Sequence, residues 1–174
     1  MNKKNNKIDC YTATASFGQG LTVTPLQMVV SYAAIANKGM LMSPYIIDRV
    51  VSSDGKVTKV QPKEIHRVLS ERSASLVSGM LVNVVEKGHA TQARSEEYYI
   101  AGKTGTAQIP GPGGYTDETI HSFVGFAPVE NPKFVMIVKY EKPQRKYAES
   151  TAVPVFSDIS KFLLQYYQVM PGRK

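Results

Sequence analysis

The stretch Tyr98-Tyr99-Ile100-Ala101-Gly102-Lys103-Thr104-Gly105-Thr106 decides the reading of this chain. Its apolar first half predicts a strand, and its second half carries an ammonium, two hydroxyls and a bare glycine to the end of that strand. A lysine anchors a carboxylate by charge, and threonine hydroxyls donate hydrogen bonds to the same group. A glycine within a strand lets another backbone come close. The N–H of Thr106 is placed to help hold a developing oxyanion. Alternation sends Lys103 and Thr104 to opposite faces of the strand. Both can serve one site only where the strand borders a cleft.

Two other readings compete. Gly102-Lys103-Thr104 ends like a phosphate-binding loop, but that motif needs a glycine five residues before Gly102. Glu97 stands there, beside Glu96, and carboxylates repel phosphates. The other reading is an ordinary polar strand edge.

The elements around the motif predict an α+β fold, an antiparallel sheet packed with helices. Thr24, Pro25 and Gln27 spell a helix start with a capping box, and Leu26, Val29, Val30, Ala33 and Ala36 follow at helical spacing toward a stop at Gly39. Tyr45–Val51 and Lys56–Val60 flank Asp54-Gly55 as a hairpin. Ser70 opens a second helix whose expected buried stripe is Ala74, Val77, Met80, Leu81 and Val84, ending at Gly88. Strands are expected at 98–108, 119–127 and 133–141. Phe134-Val135-Met136-Ile137-Val138 is apolar on both faces, which predicts a central strand covered on both sides. Ile109-Pro110-Gly111-Pro112-Gly113-Gly114 is rich in chain breakers and is expected to be an irregular loop. A last helix, 152–168, should bury Val155, Phe156, Ile159, Phe162, Leu163 and Tyr166.

Composition sets outer bounds. The 174 residues are 43% hydrophobic and 20% charged, with a formal net charge of +7. That suits one domain, or most of one, with a real core. The cations are scattered, which favours a solvated surface over a nucleic-acid face. Residues 1–11 read as disordered, 12–168 as the folded part, and 169–174 as a frayed basic tail. Cys10 is the single cysteine, so no internal disulfide forms. His66, His89 and His121 lack metal-ligand spacing, with His121 beside the motif strand. Glu96-Glu97 and Asp117-Glu118 read as surface charge. No apolar run approaches the ~20 residues of a membrane span, and the polar N-terminus lacks a signal core.

Four segments carry a family resemblance. They are Ala15-Ser16-Phe17-Gly18-Gln19-Gly20 with Val23-Thr24-Pro25-Leu26-Gln27-Met28; Tyr32-Ala33-Ala34-Ile35-Ala36-Asn37-Lys38-Gly39; Gly102-Lys103-Thr104-Gly105-Thr106-Ala107-Gln108; and Ser122-Phe123-Val124-Gly125-Phe126-Ala127-Pro128 with Asn131-Pro132-Lys133. In order and spacing the chain, from about 13 to 168, resembles the C-terminal part of the transpeptidase domain of class B penicillin-binding proteins.

The resemblance implies a serine acyl-enzyme that crosslinks peptidoglycan stem peptides ending in D-alanyl-D-alanine, and that β-lactams acylate. It implies a membrane-anchored, extracytoplasmic parent, no cofactor or metal, and cell-division or elongation proteins as possible partners. Lys103, Thr104, Gly105 and Thr106 then bind the substrate carboxylate, and Thr106 N–H forms half of an oxyanion hole. The family's nucleophile sits in Ser-x-x-Lys at a helix start, followed by Ser-x-Asn. No Ser-x-Asn occurs in this chain. Its one literal Ser-x-x-Lys, Ser53-Asp54-Gly55-Lys56, spans the hairpin turn and follows Gly20, the wrong order. The expectation is a piece of the domain, inactive and marginally stable without the missing N-terminal part. The alternative is a non-catalytic module that binds stem peptides or an envelope protein.

Overall fold

The computed structural model describes residues 9–173. The elements run α1 (Cys10–Ala15), α2 (Pro25–Ala36), β1 (Met40–Met42), β2 (Arg49–Val51), β3 (Val57–Lys59), β4 (Glu64–Arg67), α3 (Glu71–Lys87), β5 (Ala101–Gly111), β6 (Gly114–Ala127), β7 (Phe134–Glu141) and α4 (Ala152–Tyr166). Short 3-10 turns at Thr91–Ala93 and Ala148–Ser150 precede β5 and α4.

Local chemistry explains the helix starts. Thr24 accepts the Gln27 N–H at 3.2 Å while the Gln27 side chain accepts the Thr24 N–H at 2.8 Å. This reciprocal cap contributes about 1 kcal/mol. Ser70 caps α3 by accepting the Ser73 N–H at 3.0 Å. After α2 the chain turns back through Gly39 at φ +88°, whose N–H reaches the Ala34 carbonyl at 2.7 Å. A side chain there would strike the Leu69 backbone.

The main sheet is antiparallel in the order β5-β6-β7. Consecutive residues of β6 split between two cores, as alternation requires. Phe126 packs with Ala101 and Leu81, and Tyr32, Ile35, Val77 and Val135 close over them from α2, α3 and β7. Phe123 and Ala127 face the other way, toward Val153, Phe156 and Leu164 of α4. Phe123 and Phe156 meet edge to face with centroids 4.7 Å apart, an arrangement aromatic quadrupoles favour. Helices therefore cover both faces of the sheet.

Several expectations need correction. Phe134–Val138 is apolar on both faces, yet β7 is an edge strand of this sheet and β6 is central. Two-sided apolarity reports helices above and below, not neighbours on both sides. The breaker-rich stretch is not an open loop either. Pro110 pairs with Tyr115 and Gly111 with Gly114, leaving Pro112 and Gly113 as a tight turn.

In α3, Met80 is 66% exposed and Val85 is buried instead. In α4 the buried face is Ala152, Val153, Phe156, Ser157, Ser160 and Leu164. Phe162 and Tyr166 point outward, stacked on each other at 6.0 Å. Small serines let this helix lie close to the sheet around Phe156, while Ile159, also expected inward, is exposed.

The chain ends also differ. The disordered reading of 1–11 falls mostly outside the described residues, but Cys10 and Tyr11 begin α1 behind the Asp9 cap. The tail is not frayed as far as Arg173. That residue makes a bidentate pair with Glu86 at 2.7 and 2.8 Å, donates to the Ser95 carbonyl at 2.9 Å, and lies 4.8 Å over the Tyr99 ring. The Tyr98 hydroxyl donates to the Val169 carbonyl at 2.6 Å. The tail thus clasps the segment that leads into β5.

Candidate active site

Only one side of β5 is paired. Lys103 faces Val124, Thr104 faces Phe123, Gly105 faces Ser122 and Thr106 faces His121. The other side has no strand among the described residues. Residues opposite each other in an antiparallel pair share a face. Lys103 and Gly105 thus lie on the α2–α3 side of the sheet, Thr104 and Thr106 on the α4 side. An open edge between them makes both faces reachable from one approach, which meets the condition that alternation imposed.

Lys103 is exposed. Its Nζ donates to the Thr104 carbonyl at 2.9 Å, and among the described residues no carboxylate pairs with it. Its charge is available to an anion. Thr106 is exposed too, and its Oγ1 accepts the Ala148 N–H at 3.4 Å. A cation, two hydroxyls and an unpaired strand edge can hold a carboxylate and line up an extended peptide.

Ser122 escaped the sequence reading, and His121, read there as a neighbour of the motif strand that could line the cleft, lies in the core instead. The space above Gly105 is occupied, because a Cβ there would lie 2.6 Å from Ser122 Oγ. Glycine at 105 therefore makes room first for the Ser122 hydroxyl, beside the Lys103 face. The pairing of strand partners could have found Ser122, had the register been known. His121 is fully buried. Its Nε2 lies 3.1 Å from Thr119 Oγ1 and its Nδ1 3.0 Å from Thr151 Oγ1. Burial holds its pKa below the ordinary value, partly opposed by a backbone hydrogen bond at Lys146.

The other candidates stay apart. Ser53 and Lys56 lie in a hairpin turn, closed by the Gly55 N–H to the Ser52 carbonyl at 2.9 Å and the Lys56 N–H to Asp54 Oδ1 at 3.0 Å. They share no helix face. His66 is on β4, and exposed His89 sits 3.6 Å from a Glu149 carboxylate oxygen. Glu118 pairs with Lys142 at 2.9 Å. A groove of about 810 Å³ runs between α2, α3 and the β6–β7 turn, past Ser75, Ser78, Tyr99 and Asn131. None of Lys103–Thr106 lines it.

Residues 2–161 match the model of the penicillin binding protein transpeptidase domain. The chain belongs to that family. It is 38% identical over 165 residues to penicillin-binding protein PbpB of Mycolicibacterium smegmatis, covering 87% of this chain and 26% of that protein. It is 35% identical over 166 residues to stage V sporulation protein D of Bacillus subtilis, covering 92% of this chain and 26% of that one. Penicillin-binding protein 3 of Mycobacterium tuberculosis, solved in complex with ampicillin, superposes with a TM-score of 0.84 at 35% identity. That match covers 94% of this chain and 39% of the solved one. The chain therefore spans about a quarter of the curated relatives it matches. The mixed helix and antiparallel-sheet architecture is that of the penicillin-binding transpeptidase domain. Among the described residues no helix is long and apolar enough to cross a membrane.

Proposed function

We propose that this chain supplies the substrate-carboxylate side of a serine D,D-transpeptidase site. The carrying observation is Lys103-Thr104-Gly105-Thr106 on the unpaired edge of β5, within a transpeptidase-domain fold. In this reading a stem peptide ending in D-alanyl-D-alanine lies along that edge. Its carboxylate meets the Lys103 ammonium and the hydroxyls of Thr104 and Thr106. A serine attacks the penultimate carbonyl, and its proton leaves with the departing D-alanine. The acyl group then passes to an amine. The Thr106 N–H stabilises the tetrahedral oxyanion on each pass. A β-lactam presents its own carboxylate to the same groups and opens its ring on the same serine.

In this reading the serine is supplied from outside these residues, because the one Ser-x-x-Lys of the sequence, Ser53 to Lys56, spans a hairpin turn and not a helix start. A partner segment carrying Ser-x-x-Lys and Ser-x-Asn completes the site. Intact mass after incubation with a penicillin tests this division of labour. The expected result is no covalent adduct. A single penicilloyl adduct on Ser53 would contradict it and place the nucleophile in the hairpin.

A further inference from the structure

His121 is the one histidine buried in the sheet, and the transpeptidase chemistry does not use it. It stands directly opposite Thr106 in register, on the face that looks toward α4. Both ring nitrogens are spoken for by hydroxyls, Thr119 on one side and Thr151 on the other. Thr151 ends the 3-10 turn at 148–150, and its Oγ1 donates to the Ala148 carbonyl at 3.4 Å. Each hydroxyl can donate to or accept from the ring nitrogen it faces. Ala148 in turn donates its N–H to Thr106 Oγ1. The chain of bonds runs from His121 to Thr151, through the turn to Ala148, and back to Thr106. Strand pairing between Thr106 and His121 closes the loop.

We propose that His121 is a positioning residue for Thr106: it pins Thr151, and through the 148–150 turn it fixes the rotamer of the hydroxyl offered to the substrate carboxylate. Its role toward substrate rests on the transpeptidase reading; its role toward Thr106 does not. An exposed threonine on an open strand edge otherwise samples more than one staggered χ1. A donor anchored from beneath selects one of them before any ligand arrives, which lowers the ordering cost of binding.

The test uses the 174-residue chain and two routes into the loop. T151V removes the hydroxyl at nearly constant volume, and H121F removes the imidazole. NMR reads the χ1 couplings of Thr106 and the amide exchange of Ala148, with Leu81 and Phe126 as core references. Both variants are expected to average the Thr106 rotamers and to speed Ala148 exchange about tenfold, with the references unmoved. T151S should restore wild-type behaviour. Unchanged Thr106 couplings in T151V would overturn the proposal. So would equal acceleration at Leu81 and Phe126, which marks general loosening, or failure of T151S to rescue. A second arm adds N-acetyl-D-alanyl-D-alanine. Weaker binding to T151V than to wild type extends the role to substrate. No binding to wild type counts against the transpeptidase reading, while the rotamer and exchange data still decide the positioning.

Discussion

Gly102 and Phe123 interlock across the β5–β6 pair: a Cβ on Gly102 would lie 2.8 Å from Phe123 Cε1 and nearer still to Cζ. Phe123 cannot yield, because its other side is packed edge to face on Phe156. The residue before Lys103 must therefore be bare for β5 to sit against the core.

Substituting Gly102 tests this packing. G102A is expected to cost about 1–3 kcal/mol by overpacking, read as a lower urea midpoint at constant slope. G105A should cost less, since the obstructing atom is Ser122 Oγ at 2.6 Å and that hydroxyl can turn away. Equal losses in the two variants would mean the Phe123 ring moves freely.

His121 gives stability a pH dependence. Its pKa is depressed below 6.5 by burial, so the unfolded chain binds a proton that the folded chain refuses. More protons in the unfolded state means stability rises with pH. The contribution is complete above about pH 6.5 and fades as pH falls through the folded value. Around the ring lie Thr119, Thr151, Thr106 and Tyr140, with the Lys146 backbone. The melting temperature should hold from pH 8 to 7 and decline toward pH 5, and H121Q should lose that slope. A flat profile in wild type over the same range would refute the assignment.

The clasp at the C-terminus is a second target. The side chains of Arg173 and Glu86 are only 16% and 14% exposed, and Arg94 adds a contact to Glu86 at 3.3 Å. R173A removes a bidentate bond to a charged group and should cost about 1.5–3 kcal/mol. R173K should recover little, since an ammonium cannot reproduce the fork or the stacking on Tyr99. Chemical denaturation of the three proteins checks both statements.

The outer face of α4 should make the isolated chain associate. Phe162 is 63% exposed beside Tyr166 and Tyr167, and the outer edge of β7 is unpaired among the described residues. Such surfaces pair with other chains. Light scattering should show mass rising with concentration, and F162S should reduce it. A monomer that unfolds in one cooperative transition would contradict this.

What the sequence made legible was local. The Thr24–Gln27 box, the Ser70 cap and the Gly39 turn each depend on residues within a few positions, and each stands where its pattern placed it. The three strands of the main sheet follow from apolar pattern, while alternation only set the condition that Lys103–Thr106 border a cleft. What it hid is long-range. The order of strands places β7 at an edge, which no periodicity within 134–138 reports. The buried face of α4 turns on Ser157 and Ser160 fitting close to the sheet, and a count of large apolar residues ranks them last. Arg173 looked like a frayed end because its partner Glu86 is 87 positions away. The sequence placed His121 beside the motif strand, but only the register sets it against Thr106.

The most direct test of the carboxylate-binding edge is an amide chemical-shift titration of the 174-residue chain with N-acetyl-D-alanyl-D-alanine. The expected result is saturable shifts confined to Lys103–Thr106 and their partners on β6, lost in K103A. Shifts that cluster elsewhere, or that persist unchanged in K103A, would contradict the assignment of this edge to the substrate carboxylate.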